Sequence, residues 1–249
     1  MVGDSADPQG GQKGIARGPL LGRLQAQAVD SIKRHAIARL HRSPSGEALL
    51  LELYLWAEEA AGSGAFADLT DLDCPPWLRA VLERHTSEED RHAVLLRERL
   101  AKIGAVPRRP RVGPLSRWKL ARLRQVAKRS ASSFRAGLCV PYLTLAWRME
   151  VMGVRVLARH VAVLGSETQE SATRQMLETI LRDERGHVCS CEASLKRLVA
   201  EEEREALTSL AERIDAADRR FGIVGALALL ASAYVPALAG PRLVQGERP

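Results

Sequence analysis

The motif Glu-x-x-His occurs twice in this 249-residue chain, as Glu89 to His92 and as Glu184 to His187, and each copy lies inside an apolar stripe of helical period. Three-residue spacing on a helix puts a carboxylate and an imidazole on one side, a turn apart, where both can grip one metal ion. The first stripe is Leu78, Leu82, Glu89, His92, Ala93, Leu96 and Leu100; the second is Leu177, Ile180, Leu181, Glu184, His187, Val188 and Leu195. A third stripe, Leu143, Ala146, Trp147, Glu150, Val154, Leu157 and Val161, again encloses a single acid. With six His and twenty Glu in 249 residues, chance alone predicts roughly 0.5 such motifs, so position constrains the chain more than repetition does. Acids where core is expected are costly unless something pairs with them, and metal ligation is the simplest pairing.

A lone Glu precedes each motif in an apolar helical stretch: Glu52 lies 37 residues before Glu89, and Glu150 lies 34 before Glu184. The chain therefore reads as a Glu helix and a Glu-x-x-His helix, twice over. Four inward carboxylates and two imidazoles are the ligand set of a di-iron or di-manganese carboxylate site in a four-helix bundle. The first of these helices is expected over about 47–61, with Ser45 as its N-cap. Glu52 is the expected ligand there, because the next helix opens at Pro75-Pro76 and an antiparallel partner must carry its Glu well inside. Glu59, two turns along the same face, is the alternative, and Glu47 and Glu58 are expected in solvent.

The rest of the sequence predicts an all-α protein with a disordered stretch over 1–19, an accessory amphipathic helix over 20–44, a bundle over 45–200 and C-terminal helices over 201–249. Only 4% of residues are aromatic, and Ala, Leu, Arg and Glu dominate, which favours helix over strand. His35, His41 and His160 have no acid at ligand spacing and are expected to be packing residues. Cys189 and Cys191 follow His187 closely, but soft thiolates do not suit an oxygen-rich site, so both are expected to be small side chains in the packing. The four cysteines form no Cys-x-x-Cys pair, and the N-terminus has no signal-like apolar run, which together predict a reducing, cytoplasmic setting.

Charge is uneven along the chain. Residues 99–148 hold 13 basic side chains and no acid, leaving 24 basic against 30 acidic elsewhere. A bundle made of two antiparallel pairs needs one long crossover, and the basic segment over 104–136 has the length for it. Within it Leu115, Trp118, Leu123 and Val126 alternate with cations, the pattern of a basic amphipathic helix. Residues 221–240 carry no charge. The charged face of 114–129 is expected in solvent first, against an anionic membrane surface second and on nucleic acid last. The segment 221–240 is expected to pack on the bundle or in a homodimer contact, with a membrane segment as the alternative.

With these residues assembled, the chain resembles the ferritin-like superfamily of di-metal carboxylate proteins over about residues 47–200. The resemblance implies that Glu52, Glu89, His92, Glu150, Glu184 and His187 ligate two irons, or a manganese and iron pair, that activate dioxygen or peroxide. A finer similarity is to the oxygen-activating monooxygenases of that group, which place an acid before the motif Glu and an Arg before the His. Asp183 and Arg91 match these features, Glu88 stands where Asp is usual, and Gly186 replaces the second Arg. Such acids would accept an imidazole N–H and fix the ring. The four-cysteine module of rubrerythrins has no counterpart here, so electrons would come from an external reductase. Ligand order is also similar to that of membrane-associated quinone hydroxylases. The same bundle supports ferroxidase chemistry without an organic substrate, and an interaction role through the basic crossover is a third reading.

Overall fold

A computed structural model describes residues 20–62, 65–105, 114–165 and 171–235, and among them the chain is all-helical. Its α-helices are α1 (Leu20–Leu40), α2 (Pro44–Gly62), α3 (Ala65–Thr70), α4 (Pro76–Lys102), α5 (Pro114–Lys128), α6 (Cys139–Leu164), α7 (Ala172–Leu198) and α8 (Arg204–Tyr234). Residues 1–19, expected to be disordered, and 236–240, the end of the charge-free segment, lie outside the described residues.

Local chemistry explains most boundaries. Pro75 and Pro76 open α4, where a fixed φ suits the first turn and the missing N–H would have had no helical partner. Ser171 caps α7, its hydroxyl accepting the Arg174 N–H. In α2 the cap is Ser43 rather than Ser45: the Ser43 hydroxyl accepts the Gly46 N–H at 3.1 Å, and the helix starts earlier than expected. A side chain at Gly46 would run into the Leu40 carbonyl, so the tight α1–α2 turn depends on that glycine. α4 stops at Gly104, whose φ of 73° is comfortable only without a Cβ. The segment between α2 and α4 contains the short helix α3.

Side-chain contacts give the helix directions. Glu47 of α2 pairs with Arg99 of α4 at 2.9 Å while Glu58 faces His92, so the two helices are antiparallel. Arg99 also donates to Thr173 of α7 at 2.6 Å, and Arg91 meets Asp183 at 2.8 Å, which makes α4 and α7 antiparallel as well. α6 runs back along α7, with Gly153 close against the Glu184 carboxylate.

Two apolar clusters fill the space between these helices. One gathers Leu78, Leu82, Leu143, Leu145, Cys191 and Leu195; the other gathers Leu51, Leu55, Leu96, Leu157, Leu177 and Ile180. Along α4 the order is the first cluster, then acids and imidazoles, then the second, and along α7 the order reverses. A polar layer is thus enclosed between two apolar ones.

The remaining helices cover the outside. Leu123 and Ala127 of α5 are buried, Arg124 ties it to Asp68 of α3 at 2.7 Å, and Lys119 ties it to Asp218 of α8 at 2.5 Å. Leu115 and Trp118, grouped with Leu123 by sequence pattern, are instead exposed, and Trp118 makes an edge-on ring contact to Phe221 with centroids 4.8 Å apart. The charge-free stretch from Phe221 continues the preceding helix without interruption to Tyr234. Gln25 donates to the Arg219 carbonyl and Arg39 to the Ala233 carbonyl, so α8 lies parallel to α1 in constant register. Arg148 of α6 grips Asp215 of α8 through two hydrogen bonds of 2.7 and 2.6 Å. Among the described residues no helix is long and apolar enough to cross a membrane.

Candidate metal centre

Seven side chains meet in the polar layer and divide into two groups that share one acid. Glu58, Glu89, His92 and Glu184 form the first; His85, Glu89, Glu150 and His187 form the second, and within each group the candidate ligand atoms lie within 4.8 Å of one another. Ligands on opposite sides of an ion at about 2.1 Å each are about 4.2 Å apart, so both groups are compact enough to close on a cation. All seven residues are buried, and His92 is fully so.

In the first group His92 Nδ1 is 3.7 Å from Glu58, 3.9 Å from Glu89 Oε2 and 3.5 Å from Glu184 Oε1. In the second, His187 Nδ1 is 3.0 Å from Glu89 Oε1, 3.7 Å from Glu150 and 3.9 Å from Glu184 Oε2. His85 Nε2 completes that group, 3.1 Å from Glu89 and 3.4 Å from Glu150, with its ring stacked on His187 at 3.7 Å. Glu89 and Glu184 each turn one oxygen toward either group, the geometry of carboxylates that can bridge two ions.

The outer imidazole nitrogens are held crosswise. Asp183, just before Glu184, lies 3.2 Å from His92 Nε2 and is itself bonded to Arg91. Glu88, just before Glu89, lies 2.7 Å from His187 Nε2. Each acid thus accepts an N–H from the ring of the opposite motif, which fixes the ring's orientation with Nδ1 facing inward.

Of the residues singled out in the sequence, Glu89, His92, Glu150, Glu184 and His187 come together here, whereas Glu52 and Glu59 belong to neither group. Glu59 accepts from Arg97 at 2.6 Å near the surface, and Glu52 is only partly buried. α2 contributes Glu58 instead, which sequence reasoning had assigned to solvent. The reason is the true inward face of α2: Ala48, Leu51 and Leu55 are buried at three- and four-residue steps, and the next step is Glu58. His85 escaped notice because it belongs to no Glu-x-x-His, yet it fills the step between Leu82 and Glu89 on the buried stripe of α4. For His85 a strict three-and-four count along the apolar face of α4 identifies the residue, whereas on α2 the count leads to Glu58 only once burial shows that Leu51 lies on the inward face.

Charge within the layer is finely partitioned. Burial raises the Glu58 carboxyl to about 8, with His92 only partly offsetting it, and burial likewise lifts Glu184 well above the usual range. Burial acts the same way on Glu150 and Glu89, but the adjacent His187 and His85 imidazoles outweigh it, bringing Glu150 to about 2 and holding Glu89 well below the usual carboxylate range. The imidazoles respond in the opposite sense. Burial disfavours their charge, yet the surrounding carboxylates raise His187 to about 11 and His92 to about 12. Without metal, the layer therefore holds protons that compensate its acids.

These residues fit a pair of divalent cations. His92 Nδ1, His187 Nδ1 and Glu89 Oε1 are buried without a hydrogen-bond partner, and all three point into the layer. Four carboxylates with neutral imidazoles carry a charge that two divalent ions balance, the ions replacing the protons. Carboxylate oxygen with imidazole nitrogen, and no thiolate, suits iron or manganese. Comparison with known proteins finds no matching family model, no matching curated protein and no matching solved structure.

Proposed function

We propose that α2, α4, α6 and α7 form a ferritin-like four-helix bundle around a di-metal carboxylate centre, and that the protein is an oxidoreductase acting on dioxygen or peroxide. The observation that carries this reading is the crossed arrangement itself: two groups sharing Glu89, spanned by Glu184, with each imidazole held from behind by the acid of the opposite motif. A site merely filling core would have no need for Nδ1 atoms left without hydrogen bonds inside it.

Glu58, His92, Glu89 and Glu184 would hold one ion, and Glu150, His187, His85, Glu89 and Glu184 the other. Iron in this setting supplies redox chemistry toward dioxygen or peroxide. The chain's own contribution is to set that chemistry in place. Asp183 and Glu88 keep the rings from turning, while the apolar clusters on either side limit water and strengthen every interaction within the layer. Glu58, whose carboxyl is protonated near neutrality without metal, is the group that gives up its proton on loading. Electrons are supplied in this reading by an external reductase.

Anaerobic titration of the purified full-length chain with ferrous iron, followed by desalting and metal analysis, tests it. Retention of about two equivalents, with iron-dependent consumption of dioxygen or peroxide, is expected. Retention of no metal, or of metal equally well by Glu89→Ala and the native chain, would overturn it.

A further inference from the structure

On the opposite side of α6 from Glu150, a cavity of about 800 Å³ opens between α1, α5, α6 and α8. Its charge is one-sided. Lys33, Arg34, Lys119, Arg155, Arg159 and Arg219 line it against only two acids, Asp30 and Asp218. Asp30 already pairs with both Arg34 and Arg159 at 2.6 Å, and Asp218 with Lys119 at 2.5 Å. Among the described residues Lys33, Arg155 and Arg219 form no ion pair.

Lys33 is the cation in the tightest position. Burial, with Arg159 and Lys119 nearby, lowers its pKa, and Asp218 and Asp30 offset this only in part. A half-buried ammonium among like charges gains from any anion that reaches it. Arg155 and Arg219 stand exposed at the rim, where guanidinium groups can meet the same anion from outside.

The other walls are apolar. Leu115, Met152, Val156 and Phe221 line the cavity, and Gly222 and Gly225 form part of the α8 wall. A Cβ built on either glycine meets no atom within 4 Å, so the missing side chains help leave this space open. The volume lies in the range of small-molecule sites, roughly 300–1,000 Å³.

We propose that this cavity binds an organic anion of the phosphate-ester class, its head held by Lys33, Arg155 and Arg219 and its apolar body lying against Met152, Val156 and Phe221. Three uncommitted cations suit a doubly charged head better than a single carboxylate, and the apolar lining distinguishes such a ligand from inorganic phosphate. The site is separate from the carboxylate layer and does not depend on its metal content.

Calorimetric titration of the full-length chain with hexyl phosphate, below its aggregation concentration, provides the test. Saturable 1:1 binding is expected, at least tenfold tighter than inorganic phosphate and weakening as salt is raised. Lys33→Met should weaken it at least tenfold through charge, and Gly225→Leu should do so by filling the cavity while leaving every cation in place. Leu is the better helix former, so Gly225→Leu is expected to fold; circular dichroism checks both chains, and Arg155→Met at the exposed rim supplies the charge test should Lys33→Met lose helix. Absence of saturable binding, equal affinity for inorganic phosphate, or unchanged binding in Gly225→Leu would each overturn the proposal. So would attachment to phosphatidylcholine vesicles containing phosphatidylglycerol with no affinity for hexyl phosphate, since that would place the anion response on the outer surface.

Discussion

Asp183 and Glu88 perform the same task from opposite helices, and the consequences of removing either can be separated. Asp183→Asn keeps the shape of the side chain but loses the charge that orients His92 through the 3.2 Å contact. It is expected to weaken metal binding about 10- to 100-fold without unfolding the chain, read by competition with a metal-sensitive chelator. Glu88→Gln should act similarly through His187. A sharper comparison lies on α2. Glu58→Ala removes a carboxylate from the first group and should lower stoichiometry toward one ion, whereas Glu52→Ala, outside both groups, should leave two. Metal analysis of the two variants side by side decides between the positions, and loss of metal from Glu52→Ala alone would restore the spacing argument. The two groups are also unlike each other: the second has an extra imidazole in His85, so His85→Leu should weaken one ion more than the other.

At the scale of helices, the centre depends on how closely α6 approaches α7. A Cβ at Gly153 would sit 3.4 Å from Glu184 Oε2, ordinary contact distance, so Gly153→Ala should retain both ions and gain helix propensity of about 1 kcal/mol in thermal melts. Gly153→Leu would carry a branched side chain toward Glu184 from that Cβ and should displace the carboxylate, lowering occupancy of both positions at once. The helices themselves were readable in sequence, because the stripes around Glu89, Glu150 and Glu184 repeat at helical period and the structure buries all three acids. α2 was harder to read. Leu49, Leu50, Leu51, Leu53 and Leu55 put apolar side chains on several faces of this helix, Leu50 packing against Ile37 and Leu40 of α1 while Leu51 and Leu55 face α4 and α7. With two apolar faces, no single stripe stands out, and neighbouring leucines alone could not distinguish Glu52 from Glu58. α5 misled for a related reason: pattern groups Leu115 and Trp118 with Leu123, but of the three only Leu123 is buried, and Trp118 stays 63% exposed beside Phe221.

For the whole molecule, the polar layer makes stability depend on pH in opposite ways with and without metal. In the metal-free chain, His187 is raised from 6.5 to about 11, so its contribution is complete below 6.5 and is lost as pH rises through 11. Glu58, raised from 4.5 to about 8, favours folding while protonated, and that contribution fades as pH rises through 8. Glu150 is lowered from 4.5 to about 2, so its contribution is present above 4.5 and disappears as pH falls through 2. The metal-free layer is therefore most favourable near pH 4.5 and weakens toward alkaline pH, first through Glu58 between 4.5 and 8 and then through His187. Bound divalent ions take the place of those protons, which removes the alkaline loss and adds an acid one, because protons compete for the same carboxylates and imidazoles. Melting temperatures of metal-free and manganese-loaded chain, measured at matched ionic strength from pH 5 to 8, should diverge steadily as pH rises, the loaded form gaining most at the alkaline end. Charges elsewhere in the molecule are common to both forms and cancel in the difference. A gap that is constant across that range would mean that loading displaces no protons from Glu58, His92 or His187, and so that the ions sit somewhere other than this layer.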